Sequence, residues 1–470
     1  MAAPYVMLHL GLGYFHRAHQ ALYLHRLIES GNADWVLAGG NTRPDMVALI
    51  AALAAQGGAY TLETVSPGGE RTYTRVESIK TVVPYDPSLK GLIQIGAAAS
   101  TRIISFTVTE AGYYLDARNR LDLNFPDLQT DIARAREGNA GGTIYAALSA
   151  ILRDRMRQAG GKVTLLNCDN LRHNGERFRA GLLQFIGLLD EPELLAWITA
   201  NTTSPNAMVD RITPRPTPDV AERVKRATGW DDAVPVMSES FIQWVIEDGF
   251  CNGRPQWERV GVEMVESVAA HEEAKIRVLN ASHSAIAWGG TLRGYEFIHE
   301  GTRDPAVRRI AHDYVTNDVI PCLSPPDHPG PVDLAAYRDV VLDRFGNPAL
   351  RDSNQRVAMD AWSKIPGFIV PTIRERLADG ASIASAAMLP ALFLAFLERW
   401  HRNEIPYVYH DQTMDPEAAH AICSAGDPVR AFCEDEILWG GLAGNPRLIR
   451  EIRTARERVA AFVAEPRSVG

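Results

Sequence analysis

The chain has 470 residues, which at ~150 residues per domain is enough for about two or three domains. Hydrophobic residues make up 46% of the chain and charged residues 22%, the composition of an ordinary globular protein with a large core. The formal net charge of -9 argues against a nucleic-acid-binding surface and gives no sign of an anionic membrane as a partner.

No segment of the sequence predicts export or membrane insertion. The first residues lack the basic region of a secretory signal. The longest apolar run, residues 386–397, is too short to span a bilayer and contains Pro390, so we expect a buried helix there. The five cysteines are scattered and odd in number, which predicts neither a disulfide framework nor a zinc cluster and fits a cytoplasmic protein.

The N-terminal part of the chain follows the order strand, glycine-rich turn, helix, strand. Residues 6–10 form a short apolar run that leads into Gly11-Leu12-Gly13, and apolar residues then recur at helical spacing over residues 21–28. A second apolar run covers residues 35–38. This is one βαβ unit of the size that dinucleotide-binding folds use.

Further strands and helices continue the alternation. We predict strands at residues 72–76, 103–109 and 163–167 and a helix at residues 143–158. Two of these strands end in polar residues, namely Thr109-Glu110 and Asn167-Cys168-Asp169-Asn170. Open α/β sheets bind their ligands at the carboxyl ends of strands, so we expect a ligand there.

From about residue 265 onward the pattern is mostly helical. The predicted helices are residues 272–288, 305–317, 334–345, 354–364, 369–378, 383–400 and 446–464, with a proline-rich surface loop at residues 321–331. The sequence therefore predicts an α/β domain over residues 1–264 followed by a mainly helical domain over residues 265–470. Clefts between domains favour small ligands, and Lys275 lies just beyond this boundary.

Lys275, Asn280 and His283 form the most informative cluster of polar residues. At about 100° per residue, Asn280 lies roughly 140° and His283 roughly 80° round a helix from Lys275, so the three side chains share one broad face. A base, an amide and an imidazole on one face suit the handling of an alcohol proton. The alternative is a solvated or satisfied polar stripe. A zinc role for His283 lacks a second His or Cys at the fourth position on either side.

A lysine base faces an energetic problem. A free lysine titrates near ~10.4, so accepting a proton near neutral pH requires burial or a neighbouring cation to lower its pKa. Val278 and Leu279 predict an apolar setting, and Arg277 is close in sequence. Glu272 and Glu273 would oppose the change if they faced the lysine, or one of them could pass protons to solvent.

The turn at Gly11 and Gly13 is a candidate cofactor site. Its backbone amides could approach a pyrophosphate at a helix N-terminus, with Arg17 and His19 adding charge. His16 occupies the position of the third glycine of the dinucleotide fingerprint. The alternative is a strand-to-helix turn without a ligand.

Two charged residues follow the second predicted strand. An acidic residue such as Asp45 would bind the hydroxyls of the adenosine ribose and disfavour a 2′-phosphate, whereas Arg43 would tolerate that phosphate. Either side chain is equally well explained as an ordinary loop charge. The balance favours NAD.

Asn170 and Asn280 both carry amide donors. Two such donors on one oxygen would stabilise the alkoxide that develops as hydride leaves. His283 could hydrogen-bond a substrate hydroxyl. The alternatives are a loop residue that holds its own turn for Asn170 and a structural histidine for His283.

A series of motifs runs along nearly the whole chain. They are Gly11-x-Gly13-x-Phe15-x-Arg17-Ala18-His19, Thr109-Glu110-x-Gly112-Tyr113, Asn167-Cys168-Asp169-Asn170, Val209-Asp210-Arg211-Ile212-Thr213-Pro214, Lys275 with Asn280 and His283, and Asn354-Gln355-Arg356 with Ser363-Lys364-Ile365. In these motifs the chain resembles the mannitol dehydrogenase family, the polyol-specific long-chain dehydrogenases. The resemblance implies a Rossmann-like NAD-binding domain and a helical substrate-binding domain.

The resemblance also implies a set of residue roles. Lys275 would be the general base, Asn170 and Asn280 the pair that stabilises the oxyanion, and His283 the residue that positions the polyol. The distal hydroxyls would be bound by Asp210, Arg356 and Lys364, and proton relay or ribose contact would fall to Glu110 and Glu272. The cofactor contacts would be Gly11, Gly13, Phe15, Arg17 and Asp45. No metal is implied.

The expected activity is NAD-dependent oxidation of an open-chain polyol, with D-arabinitol oxidised to D-xylulose. The nearer alternatives are oxidation of D-mannitol to D-fructose and broad polyol specificity. A non-catalytic dinucleotide-binding sensor is the alternative from another class, and a sugar-phosphate dehydrogenase would need a cationic clamp to which Arg356 and Lys364 could belong. We expect a small-molecule polyol as the partner, no nucleic acid or membrane, and a monomer or small homo-oligomer.

Overall fold

The structure, a computed structural model, describes residues 3–116 and 119–467, with only the backbone at positions 110 and 111. The chain divides into two compact units. Unit 1 comprises the residues up to Val65 together with Glu70–Ala269, and unit 2 comprises Ser66–Gly69 and the residues from Ala270 onward. The sequence predicted the division between residues 264 and 265.

Among the residues that the structure describes, every strand lies in unit 1. They are β1 (Tyr5–Leu10), β2 (Trp35–Gly40), β3 (Tyr60–Val65), β4 (Arg71–Val76), β5 (Ile79–Val82), β6 (Thr101–Phe106), β7 (Val163–Asn167), β8 (Thr202–Thr203), β9 (Ala207–Asp210), β10 (Val236–Glu239), β11 (Gln243–Glu247) and β12 (Glu263–Val265).

The helices of unit 1 lie between these strands. They are α1 (Tyr14–Ala18), α2 (Gln20–Glu29), α3 (Val47–Ala55), α4 (Lys90–Ala97), α5 (Pro126–Arg136), α6 (Ile144–Arg157), α7 (Asn174–Gly187), α8 (Pro192–Asn201) and α9 (Pro218–Thr228). Short 3-10 helices cover Pro44–Met46, Glu110–Tyr113 and Trp257–Val260.

The remaining helices, apart from the first residue of α10, belong to unit 2. They are α10 (Ala269–Ala274), α11 (Ala281–Leu292), α12 (Ile298–Arg303), α13 (Pro305–Tyr314), α14 (Ile320–Leu323), α15 (Leu334–Phe345), α16 (Asn354–Ala358), α17 (Ala361–Lys364), α18 (Val370–Ala378), α19 (Met388–His401), α20 (Pro416–Ser424), α21 (Pro428–Glu434), α22 (Glu436–Trp439) and α23 (Pro446–Ala464). Three π-helical segments cover Lys275–Asn280, Val315–Val319 and Ile365–Ile369, and a 3-10 turn covers Gly440–Leu442.

The main sheet of unit 1 is parallel and has the strand order β5-β2-β1-β6-β7-β8. Its central strands are near-continuous apolar runs because both faces of the sheet are covered by helices. Within β1, Leu8 and Leu10 pack into one hydrophobic cluster with helices α6 and α7, whereas Met7 packs into the opposite cluster with α2. The alternation of side chains along the strand therefore builds a core on each face.

The carboxyl ends of four strands meet at one edge of this sheet. Leu10, the last residue of β1, lies beside Gly40 of β2 and Phe106 of β6, and Phe106 lies beside Asn167 of β7. The direction of strand order reverses between β1 and β6. Open α/β sheets bind ligands outside the carboxyl ends of their strands at such a reversal. Two smaller sheets, β10-β3-β4 and β12-β11-β9, complete unit 1.

Unit 2 is a helical assembly with an aromatic centre. The rings of Trp288 and Trp362 pack against Phe393, with centroids 5.1 Å and 5.6 Å from it, and all three residues are buried. The last helix, α23, buries Leu448, Ile452, Ala455, Val459 and Phe462, a spacing of three and four residues that places one face toward the core. Across residues 3–116 and 119–467 no helix is long and apolar enough to cross a membrane.

The predicted fold class is confirmed: a parallel-sheet domain precedes a mostly helical one. Four element predictions are wrong in detail. Residues 354–364 form two helices, separated near Asp360, which adopts φ 59°. Residues 321–323 of the predicted loop over residues 321–331 are helical, the strand predicted over residues 103–109 ends at Phe106, and α19 begins only at Met388. The three π segments were not predicted, since periodicity alone does not distinguish them from α-helix.

Candidate active site

The turn after β1 needs glycine at its first position. Gly11 has φ +111°, and a Cβ on it would lie 2.6 Å from the backbone oxygen of Thr107, which directly follows β6. The Gly11 amide donates to the Gly40 carbonyl at 2.9 Å at the end of β2. The turn is thus held against the ends of both neighbouring strands, which leaves no room for a side chain.

The second glycine of the turn is surrounded by open space. A Cβ on Gly13 would have one heavy atom within 4 Å, the Gly11 oxygen at 3.9 Å. The Leu12 amide, in contrast, is already bound to the Asn41 side-chain oxygen at 2.7 Å. Open space beside a glycine at the start of a helix fits the close approach of a dinucleotide pyrophosphate, so the residues present fit such a cofactor.

The third fingerprint position is filled by a histidine that packs against the sheet. The His16 ring stacks on His9 of β1 with centroids 3.5 Å apart, and both rings are fully buried. Burial lowers the pKa of His9 to about 3 and lowers the pKa of His16 well below its ordinary value. Two neutral stacked rings therefore join helix and strand where a glycine would allow close approach.

Arg17 and Phe15 occupy different environments on α1. The Arg17 guanidinium has no exposed surface, donates to the Val234 carbonyl at 2.5 Å and lies over the Tyr60 ring at 5.2 Å. This burial leaves the guanidinium no surface for a phosphate. Phe15 is half-buried and stacks on His19 at 4.9 Å.

The two charges after β2 are exposed. Asp45 lies in the 3-10 helix Pro44–Met46. Arg43 donates to the Tyr114 hydroxyl at 2.6 Å and lies 3.4 Å from Asp127. The charge of Arg43 is therefore partly balanced, whereas Asp45 stands at the surface near the end of β2.

A buried polar network holds the loop that follows β7. The Asp169 carboxylate accepts from the amides of Val108 and Thr109, each at 3.0 Å, and from the Tyr113 hydroxyl at 2.7 Å. Burial raises the pKa of Asp169 against the effect of these donors. The network ties the loops after β6 and β7 together and leaves the next residue, Asn170, exposed at the tip.

Two further predicted residues belong to unit 1. Asp210 ends β9 and is buried, paired in register with Gln243 of β11. Glu110 begins the 3-10 helix that follows β6, but its side chain lies outside the described part of the molecule.

In unit 2 the segment that carries Lys275 and Asn280 is a π-helix. The Ala281 amide donates to the Ile276 carbonyl, the i→i+5 bond of that conformation. The expected separation of Lys275 and Asn280 by roughly 140° assumed α-helical geometry and is wrong for this segment. A turn closed five residues apart brings positions 275 and 280 closer to one face. Such π segments occur frequently at functional sites.

Arg277 within this π segment is pinned by two carboxylates. Its guanidinium donates to Glu273 at 2.6 Å and to both oxygens of Glu375 at 2.7 Å. The bidentate geometry fixes the orientation of the guanidinium. Arg277 thus has its charge balanced and anchors the π segment to α18.

The three polar residues of the Lys275 helix differ in exposure. Lys275 and Glu272 are both buried, with 6% and 5% of their surface exposed. Asn280 is half-buried, and its side-chain amide makes no hydrogen bond with any described residue. That amide is therefore able to donate to a ligand.

His283, one turn beyond Asn280, contacts a carboxylate. Its Nε2 lies 3.3 Å from Oδ2 of Asp352, and its ring stacks on Phe345 at 4.3 Å. Burial lowers the pKa of His283, and the contact with Asp352 opposes that change in part. The imidazole is therefore neutral near neutral pH and is held on two sides.

Asp352 also holds Arg356. The guanidinium donates to both carboxylate oxygens, at 2.7 Å and 2.5 Å, while most of the Arg356 side chain remains exposed. Lys364, on α17, donates to the Val357 carbonyl at 2.8 Å. Burial is the main factor that lowers the pKa of Lys364 to about 8, and Arg356 adds to it.

Three residues predicted from unrelated positions are thereby brought together in unit 2. His283 and Arg356 contact one carboxylate, Asp352, whose charge also acts on Lys364 and which was not predicted from the sequence. The sequence did contain a signal for the ion pair with Arg356, because Asp352 precedes Arg356 by four residues, the spacing of a helical ion pair. Within the described residues no group of three or more His, Cys, Asp or Glu side chains could hold a metal ion.

Comparison with known families matches both parts of the chain. Residues 6–259 match the model of the mannitol dehydrogenase Rossmann domain, and residues 267–460 match the mannitol dehydrogenase C-terminal domain. D-arabinitol 4-dehydrogenase of Ralstonia nicotianae (strain ATCC BAA-1114 / GMI1000) is 56% identical over 99% of both chains. D-arabinitol 4-dehydrogenase of Klebsiella pneumoniae is 52% identical over 98% of this chain and 99% of that protein.

A solved structure shares the architecture over nearly the full length. The Pseudomonas fluorescens mannitol 2-dehydrogenase ternary complex with NAD and D-mannitol is similar with a TM-score of 0.82 and 34% identity, covering 98% of this chain and 94% of that one. The similarity spans both units of the chain.

Proposed function

This chain belongs to the mannitol dehydrogenase family, and on that premise we propose that it is an NAD-dependent oxidoreductase that oxidises D-arabinitol to D-xylulose. The observation that carries the proposal is the identity of 56% and 52%, over almost the full length, to two proteins named D-arabinitol 4-dehydrogenase. Coarsely stated, the chain is an oxidoreductase that acts on polyols.

The cofactor is assigned to the carboxyl edge of the main sheet. Gly11 and Gly13 leave room for the pyrophosphate, Phe15 is available as an apolar contact, and Asp45 is assigned to the adenosine ribose. Asp45 stands exposed where a 2′-phosphate would meet a like charge, which favours NAD over NADP. When bound, NAD supplies the acceptor for the hydride. We do not assign the guanidinium of Arg17 to the cofactor, because it is packed inside unit 1 and has no exposed surface.

Lys275 is assigned as the base that accepts the proton of the reacting hydroxyl. To take it, the lysine must be a neutral amine, and burial of the side chain is the physical factor that favours this form. Arg277 contributes little to this, because Glu273 and Glu375 balance its charge. Glu272 and Glu110 are assigned to passing that proton onward.

Two side-chain amides are assigned to stabilise the negative charge that develops on the oxygen of the reacting hydroxyl. Asn280 has a side-chain amide able to donate, and Asn170 stands exposed at the tip of a loop held by Asp169. Preorganised amide donors stabilise such charge at no cost of reorganisation. With a base and two amides in these roles, the mechanism needs no metal.

The remaining polyol hydroxyls are assigned to His283, Arg356, Lys364 and Asp210. The neutral imidazole and the two cationic side chains offer an acceptor and donors. Acceptors and donors together suit a chain of hydroxyl groups, each of which both donates and accepts.

Initial rates on D-arabinitol, D-mannitol and D-sorbitol, each with NAD and NADP, test the proposal through the absorbance of the reduced nicotinamide. We expect the largest kcat/KM for D-arabinitol with NAD, D-xylulose as the product, and no effect of a chelator. A larger value for D-mannitol would favour the second candidate, D-mannitol oxidation, which the similarity to the mannitol 2-dehydrogenase complex supports. Absence of reduced cofactor with every polyol would favour a non-catalytic sensor.

A further inference from the structure

One carboxylate in unit 2 contacts two residues that are assigned to the substrate. Asp352 lies 3.3 Å from Nε2 of His283 and accepts two hydrogen bonds from Arg356, at 2.7 Å and 2.5 Å. Its own side chain is 11% exposed, whereas that of Arg356 is 66% exposed. The carboxylate is thus the inner member of the group and the guanidinium the outer one.

The backbone around Asp352 is held on both sides. The Ile298 amide donates to the Asp352 carbonyl at 2.8 Å, and the next residue, Ser353, forms a β-bridge with Phe297. Ser353 also caps α16 by accepting from the Arg356 amide at 3.3 Å. The carboxylate therefore projects from a fixed point rather than from a loose loop.

The charges around Asp352 keep it ionised. Burial opposes its ionisation, but the contacts with His283 and Arg356 outweigh burial and hold the pKa of this carboxyl well below its ordinary value. Lys364 is a further cation whose charge acts on His283. Near neutral pH the group therefore contains one carboxylate, a neutral imidazole and two cations, the guanidinium of Arg356 and the ammonium of Lys364.

The ionised carboxylate lies beside the imidazole without a hydrogen bond to it. Nε2 of His283 is buried 3.3 Å from Oδ2 of Asp352 but has no hydrogen-bond partner among the described residues. The carboxylate on one side and the Phe345 ring on the other therefore fix the place of the imidazole. The same carboxylate fixes the Arg356 guanidinium through two hydrogen bonds. One carboxylate thus contacts both side chains.

We propose that Asp352 is a positioning residue for polyol binding, which holds the imidazole of His283 in place and fixes the orientation of Arg356 so that the two side chains are presented to neighbouring hydroxyls. The proposal rests on the proposed function and deepens it. Asp352 itself touches no reacting atom. Without it, the imidazole loses the charged neighbour on one side and the exposed guanidinium is free to take many orientations, so polyol binding weakens while cofactor binding does not.

Asp352→Asn tests this, with Asp343→Asn as the matched control, since Asp343 is an exposed carboxylate on α15 paired with Arg308. We expect Asp352→Asn to raise the KM for D-arabinitol at least about fivefold, the loss of a charge-assisted contact, with a smaller change in kcat and an unchanged Kd for NAD. The control leaves all three constants unchanged. If Asp352→Asn does not fold, Asp352→Ser removes the carboxylate without added bulk.

Double variants separate a positioning role from a structural one. If Asp352 acts through its two partners, adding Asp352→Asn to His283→Ala or to Arg356→Met raises KM less than the product of the single effects. A KM near that of the unmodified protein for Asp352→Asn, with large increases for His283→Ala and Arg356→Met, would overturn the positioning role alone. Absence of polyol oxidation by the unmodified protein would overturn the proposed function first.

Discussion

We predict that the protonation of Lys364, one of the residues proposed to bind the polyol, makes polyol binding depend on pH. Lys364 is half-buried on α17, and its Nζ donates to the Val357 carbonyl at 2.8 Å. Burial lowers its pKa to about 8; Asp360 opposes the change and Arg356 adds to it. The side chain therefore changes charge within the range in which the enzyme can be assayed.

The size of the effect follows from the two protonation states. With a pKa of about 8, the cationic fraction falls from about nine-tenths at pH 7 to about one-tenth at pH 9. A hydrogen bond from a charged donor is worth about 1 kcal/mol more than one from a neutral donor, which is about fivefold in binding. Because about a tenth of the protein is still cationic at pH 9, we expect the KM for D-arabinitol to rise about threefold between pH 7 and pH 9.

The assay is the KM for D-arabinitol at half-unit steps of pH, for the unmodified protein and for Lys364→Met. In the variant, KM should already be raised at pH 7 and should not change up to pH 9. Lys225→Met, which alters an exposed lysine paired with Asp231, should follow the unmodified protein. A rise in KM that persists in Lys364→Met would refute the assignment, as would a flat profile in the unmodified protein.

Two further predictions concern Arg277 in unit 2 and the glycine turn in unit 1. Arg277→Ala should lower the free energy of unfolding by roughly 2 kcal/mol, because it leaves Glu375 without its bidentate partner. The control Arg430→Ala, at an exposed ion pair, should change that free energy little. Urea unfolding measures both variants, and equal effects would contradict the anchoring role of Arg277. Gly11→Ala should lower the melting temperature, since φ +111° and a contact at 2.6 Å exclude a side chain, whereas Gly13→Ala should keep the melting temperature and raise the Kd for NAD. Unchanged NAD binding by a folded Gly13→Ala would remove this turn from the cofactor site.

The parallel sheet could be predicted because its signals are local. Strands buried on both faces are continuous apolar runs, and β1, β2 and β7 stand out in the sequence for that reason. The turn at Gly11 was visible from its glycines alone. The two shorter sheets were less visible, because strands such as β9 and β10 are four residues long and are defined by pairing partners distant in the chain.

The candidate residues could be found, but their environments could not. The motif around Arg17 does not reveal that its guanidinium lies inside unit 1 against Val234, 217 residues away. The π segment Lys275–Asn280 is anchored by Glu375, which no local pattern connects to Arg277. A role for Asp352 could be inferred only from the structure, which places its carboxylate beside His283.

The most direct test of the central claim is the turnover of Lys275→Ala with D-arabinitol and NAD. Loss of the base should lower kcat at least about a hundredfold, the usual contribution of general-base catalysis, while the Kd for NAD stays unchanged. Lys162→Ala, an exposed lysine of unit 1, is the control and should keep both values. A near-normal kcat in Lys275→Ala would contradict a lysine base.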